Sequence, residues 1–128
     1  MTIDDPAVVA EVTAAFERYE AALVGNDVAT LDALFVASPT TIRYGIGENL
    51  YGIAAIRAFR AARPAAGLAR RLAETRITAY GPDCAVAATL FYRASAPGKV
   101  GRQMQTWVRT EGGWRVAAAH VSMIDEGK

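Results

Sequence analysis

Residues 81–113, GPDCAVAATLFYRASAPGKVGRQMQTWVRTEGG, decide the fold. Three clusters of turn chemistry, GPD, SAPG and EGG, cut an apolar region into extended runs near 68–79, 84–94, 99–109 and 114–124. Gly, Pro and Asp each favour a turn for a backbone reason, so runs separated by them read as strands in antiparallel succession. Upstream the pattern changes period. Asp4 or Asp5 can cap a first helix with Pro6 in its first turn, and Val8, Val12, Phe16, Tyr19 and Leu23 recur at helical spacing until Gly25 and Asn26. Asp27 opens a second, short helix carrying Leu31, Leu34 and Phe35, which ends before Ser38 and Pro39.

Between these regions lie a short strand over Thr41–Tyr44, a turn at Gly45 and Gly47, and Asn49–Tyr51. A third helix, GIAAIRAFRAAR, has Ile53, Ile56 and Phe59 as its inner face and Arg57, Arg60 and Arg63 as a solvated face, and Pro64 and Gly67 close it. Helices first and strands afterwards predict an α+β domain spanning residues 1–128, three N-terminal helices packed on a curved, mostly antiparallel sheet. A bent sheet roofed by helices leaves a conical cavity suited to a small ligand.

Composition narrows the function. A chain of 128 residues, 52% apolar and 21% charged, has the size of one globular domain. Fourteen basic residues against 13 acidic ones, with the basic ones scattered, argue against a nucleic-acid partner. Cys84 is the single cysteine, so no intrachain disulfide forms, and no CxxC or His/Cys cluster offers a metal site; a reducing cytoplasm fits. The start MTIDDPAVVAEV lacks a signal peptide's basic region and apolar core, and no apolar run has the length of a membrane span. With no P-loop, GxSxG elbow, GxGxxG or HExxH, no cofactor is expected.

Several side chains invite a functional reading beside a plain one. Arg43 interrupts the apolar strand TTIRY: it is either a surface arginine on an edge strand or an inward one needing an acid such as Glu48 or a ligand carboxylate. Tyr19 shares a helix face with Phe16 and Leu23, so its ring is core and its hydroxyl reaches the cavity or a carbonyl. Strict alternation along the last strand puts Trp114, Val116, Ala118, His120 and Ser122 on one side, beside Gln103, Gln105 and Trp107 if that side is the inner one. Of Arg70 and Arg71 only one can point inward. Glu17 and Glu20 flank Tyr19 on the outside of its helix.

The stretches RYEAALVGNDVATLDALF, YGIAAIRAF and GGWRVAAAHVS resemble the SnoaL-like and nuclear transport factor 2-like domains, which implies a cone-shaped fold. More narrowly, SPTTIRYGIGENLYG, AIRAFRAAR, GRQMQTWVR and GWRVAAAHVS resemble the AtzH-like family, including proteins linked to oxalurate catabolism. That likeness implies a decarboxylating amidohydrolase of cyanuric acid or oxalurate catabolism, acting on a carboxylated urea such as 1,3-dicarboxyurea. The chain departs from the family at Met104, where serine is usual, and at Leu90, where an acidic residue is common.

Laid on the ketosteroid isomerases without a gap from Arg18 to Phe59, the chain keeps the enolate-binding tyrosine as Tyr19 and replaces the general base by Arg43. Allowing one gap, Gln105 falls where the isomerase has a protonated aspartic acid. The resemblance thus implies Tyr19 and Arg43 as catalytic residues and Arg70, Gln105 and His120 as contacts to a small anionic carboxylate substrate. It also implies a homodimer formed through the outer sheet face and a functional link to an amidase. Two other readings remain: a non-catalytic carboxylate-binding module, and a SnoaL-type isomerase with His120 as its base.

Overall fold

The computed structural model describes residues 1–127. Three helices, α1 (Pro6–Val24), α2 (Val28–Ala33) and α3 (Ile53–Ala62), accompany six strands: β1 (Ile42–Tyr44), β2 (Asn49–Tyr51), β3 (Arg71–Tyr80), β4 (Cys84–Tyr92), β5 (Lys99–Thr110) and β6 (Gly113–Asp125). Local chemistry places the helices where the sequence predicts them. The Asp5 carboxylate accepts from the Ala7 amide at 2.9 Å and caps α1, with Pro6 at its first position. Asp27 caps α2 by accepting from the Thr30 amide at 3.2 Å and the Thr30 hydroxyl at 2.7 Å. Val8, Val12, Phe16, Tyr19 and Leu23 form the buried stripe of α1.

The strands form one mixed sheet in the order β2-β1-β6-β5-β4-β3, antiparallel throughout except where β1 runs parallel to β6. Its inner face packs on α1 and α2 around Trp107, Phe35, Leu31 and Val116, all at most 2% exposed. The α+β architecture of helices on a curved sheet is as the sequence predicts.

Two irregularities bend the sheet. One lies between Ala73 and Arg76 of β3, where Glu74 has a φ of 52°. The other decides which side chains face inward. Thr106 pairs with Ala118 but Trp107 pairs with Val116, so Ala117 is an extra residue in β6. A single added residue reverses the facing of everything beyond it. Trp114 and Val116 point inward before the bulge; Ala119 and Val121 do so after it, and His120 is exposed. No helix is long and apolar enough to cross a membrane among the described residues.

Candidate active site

A cavity of about 110 Å³ is lined by Arg43 and Glu48 from the β1–β2 hairpin, Phe59 and Arg63 from the end of α3, Leu68, and Arg93 beyond β4. Arg43 points into it, with its side chain 11% exposed. Its Nη1 donates to Glu48 at 2.9 Å and its guanidinium lies 5.4 Å from the Phe59 ring centre. Glu48 is thus the protein acid an inward Arg43 needs.

Arg63 and Arg93 stand differently. The Nε and Nη2 of Arg63 and the Nε of Arg93 are buried without a hydrogen-bond partner among the described residues. Burial lowers the pKa of Arg63 from its ordinary value, and the charges of Arg60, Arg43 and Arg93 add to the effect. For Arg93, burial again dominates, followed by repulsion from Arg70 and Arg43. Both arginines remain charged at neutral pH, because a guanidinium starts far above it.

Of the predicted cavity residues only Arg43 lines this cavity; Tyr19 and Gln105 do not, and β5 carries two buried amides. Gln105, 1% exposed, accepts from the Trp107 indole N–H at 3.0 Å through Oε1. Gln103, 2% exposed, accepts from Arg70 Nη2 at 3.0 Å through Oε1. Indole and guanidinium can only donate, so these bonds fix which way each amide points. Both Nε2 groups are left as buried donors with no acceptor among the described residues. Tyr19, 3% exposed, stacks edge-on to Trp107 with ring centres 6.4 Å apart, and no described residue hydrogen-bonds its hydroxyl.

Other assignments change. His120 lies on the outer face: it pairs with Met104, stacks edge-on to Tyr44 at 6.1 Å, and lines a shallow groove with Ile42 and Thr106. The bulge at Ala117 is the reason, since uninterrupted alternation would turn His120 inward; Ser122 goes with it. Arg70 does point inward, its side chain 1% exposed, while Arg71 is exposed. However, its fork is taken by Glu20, at 2.9 Å from Nε and 2.5 Å from Nη2, so it holds a protein carboxylate rather than offering itself to a ligand. Glu20 is therefore no mere solvated flank of Tyr19. The expected solvated face of α3 keeps only Arg57: Arg60 is 2% exposed and bonds Asp32 at 2.6 Å, and Arg63 turns into the cavity.

Arg63 and Arg93 are the cavity residues that sequence reasoning missed. Pro64 supplied a signal for the first, because a residue before proline is driven to extended backbone, and Arg63 leaves the helix with ψ 136°. The second follows buried Phe91 at strand period and shares its side. No group of three or more His, Cys, Asp or Glu side chains able to hold a metal occurs among the described residues.

The AtzH-like family model matches residues 1–127. A crystal structure of a protein of unknown function from the DUF3225 family of Pectobacterium atrosepticum is 60% identical, with a TM-score of 0.93 over 96% of this chain and 95% of that one. A cystatin-like fold protein from Burkholderia xenovorans is 44% identical, with a TM-score of 0.95 over 99% of both chains. A nuclear transport factor 2-like superfamily protein from Salmonella enterica is 25% identical, with a TM-score of 0.68 over 95% of this chain and 93% of that one. No curated protein matches the sequence.

Proposed function

From the premise that the chain belongs to the AtzH-like family, we propose that it is a cofactor-independent enzyme that removes carbon dioxide from the N-carboxyl group of a small carboxylated urea, as a decarboxylating amidohydrolase. One observation supports the reading: Arg63 and Arg93, which line the cavity, have buried N–H groups with no acceptor among the described residues, and so do Gln103 and Gln105 on β5. Buried donors left unmatched cost stability, so their natural complement is a ligand rich in carboxylate and carbonyl oxygens.

An N-carboxylate loses carbon dioxide once its nitrogen is protonated. The nitrogen gains one proton, the bond from nitrogen to the carboxyl carbon breaks with its electron pair going to nitrogen, and a urea with one fewer carboxyl group and carbon dioxide leave. The protein must orient the anion and deliver that proton. Arg43 holds a carboxylate in its planar fork, and the amides of Gln103 and Gln105 hold the urea carbonyl. Tyr19, whose hydroxyl has no hydrogen-bond partner among the described residues, is the proton donor. An isomerase reading has lost its base, because His120 faces away from the cavity.

Purified protein assayed for carbon dioxide release from a panel of carboxylated ureas tests the proposal. Tyr19→Phe should lower turnover by about 10²-fold to 10⁴-fold with little change in melting temperature. Arg43→Lys keeps the charge and loses the fork, and turnover should fall sharply as well. If both variants keep the parent's rate, the assigned roles fail. Tight carboxylate binding without turnover would make the protein a binding module. Two copies pair, in the same proposal, through the outer sheet face around Met104, which is 56% exposed. Light scattering should report a dimer, and Met104→Asp a monomer.

A further inference from the structure

We propose that Trp107 and Arg70 are positioning residues: each donates to the carbonyl end of a buried glutamine, so that Gln105 and Gln103 both turn N–H donors to the ligand and the protein selects a molecule with a urea carbonyl. The inference rests on the reading of these two amides as contacts to that carbonyl and adds what fixes their polarity.

An amide can present either of its ends. The Trp107 indole donates to Gln105 Oε1 at 3.0 Å, and Arg70 Nη2 donates to Gln103 Oε1 at 3.0 Å. Neither partner can accept, so a flipped amide would set its NH2 against another N–H, donor against donor. The same polarity recurs at two inner positions of β5, two residues apart on one face. Their neighbours leave the donors free. By strand register Gln105 lies between Ala87 and Ala119, whose side chains carry no polar atom, and Gln103 lies between Thr89 and Val121. The Thr89 hydroxyl is engaged with Thr75 and with the carbonyls of Ala73 and Leu90. Both Nε2 groups stay buried without an acceptor among the described residues. A buried donor left unmatched is costly, so two of them locked the same way fit a site whose acceptor arrives with the ligand.

The two locks are themselves held, and by one helix. From α1, Tyr19 meets the fully buried Trp107 ring edge-on, with 6.4 Å between centres and 89° between planes. The next residue of α1, Glu20, accepts from Arg70 Nε at 2.9 Å and Nη2 at 2.5 Å, while the guanidinium lies 4.6 Å from the Phe91 ring centre. Gln103 therefore faces a donor that cannot swing away. The Phe91 ring also carries Arg93, which lines the cavity, so the Arg70 lock adjoins a cavity residue.

Ureidoacetate, with one carboxylate, a urea carbonyl and no N-carboxyl group to lose, tests the locks against pentanoate, a carboxylate of the same chain length without that carbonyl. In calorimetric titration the parent should bind ureidoacetate at least about ten-fold more tightly than pentanoate. Trp107→Phe keeps a ring and loses the N–H. It and Arg70→Met should each cut that preference to about three-fold or less and leave pentanoate within about two-fold. Added to Gln105→Met, Trp107→Phe should cut the preference no further, because Trp107 acts through that amide. Nitrogen-15 spectra supply a signature for each site. Ureidoacetate should move the side-chain amide proton signals of both glutamines downfield in the parent, of Gln103 alone in Trp107→Phe, and of Gln105 alone in Arg70→Met. Equal loss for both ligands, an undiminished preference in both variants, or amide signals that ignore ureidoacetate, as those of glutamines holding only a buried water would, overturns the proposal. Carbon dioxide release from carboxylated ureas separates the two readings. A preference that follows Trp107 and Arg70 without turnover leaves the positioning standing and removes the enzyme. Turnover with a preference that neither variant changes does the reverse.

Discussion

Arg60 and Arg63 leave the same end of α3, and Arg70 and Arg93 lie on the same aromatic ring, yet within each pair one arginine is matched and the other is not. Arg60 stacks on Phe35 at 4.8 Å and bonds Asp32; Arg63, three residues on, has two N–H positions without an acceptor. Arg70 and Arg93 sit 4.6 and 5.0 Å from the Phe91 ring centre, but only Arg70 meets a carboxylate, that of Glu20. Burial and matching go together in these pairs: Arg60 and Arg70 are almost wholly buried and each meets an acid, whereas Arg63 and Arg93 are half-buried and have N–H groups without an acceptor among the described residues.

The largest effect should come from breaking the best-matched case. Glu20→Ala leaves Arg70, 1% exposed, with a buried charge and only Gln103 as acceptor. Urea denaturation should show a loss of about 3–5 kcal/mol. A loss below about 1 kcal/mol would mean that Arg70 is no better matched than Arg93, and the contrast would collapse. Asp32→Ala is the same test at Arg60 and should cost less, about 1.5–3 kcal/mol, because Arg60 gives up one hydrogen bond where Arg70 gives up two.

The sequence shows half of this contrast. Helix caps at Asp5 and Asp27 and the buried stripe of α1 are legible because they depend on residues a few positions apart. For Arg43 the sequence leaves an outward and an inward side chain open, but it offers Glu48 as the acid of the inward one, because the two lie five residues apart across one turn. The matching of Arg70 by Glu20 spans 50 residues and appears only when α1 lies on the sheet. The outward turn of His120 depends on how β6 registers against β5; nothing in WRVAAAHVS marks Ala117 as the extra residue. Periodicity predicts faces until a bulge intervenes, and the bulge lies three residues before the histidine.

Gly101→Ala strikes both arginines of the second pair at once. An added Cβ would lie 2.1 Å from Phe91 Cζ, so the ring under Arg70 and Arg93 must move. Stability should fall by about 1–3 kcal/mol from overpacking. Calorimetry should also show weaker ureidoacetate binding, because Arg93 loses its rest. Unchanged affinity with lowered stability would show that the ring supports Arg70 alone, and would sharpen the division between them.

Arg43 is the intermediate case, and Glu48→Gln should have the smallest effect on stability. Arg43 is matched, but by an acid on a hairpin turn whose side chain is 23% exposed, not by one fixed on a helix. Glu48 folds back over Gly45, where a Cβ would come within 1.5 Å of Oε2, and its other oxygen accepts from the Gly47 amide at 3.2 Å. A partly exposed ion pair of this kind contributes about 1 kcal/mol or less, so the melt should barely move. Ligand binding should move in the opposite sense to every other variant. The Glu48 carboxylate competes with a ligand carboxylate for the Arg43 fork and cancels one of the cavity's positive charges, so Glu48→Gln should tighten ureidoacetate binding, and added salt should shrink the gain. Weaker binding in Glu48→Gln would mean instead that Glu48 holds the Arg43 fork in position for the ligand. Arg43 would then be a side chain that is matched and functional at once, and an unpartnered N–H would no longer be required to mark a binding arginine in this cavity.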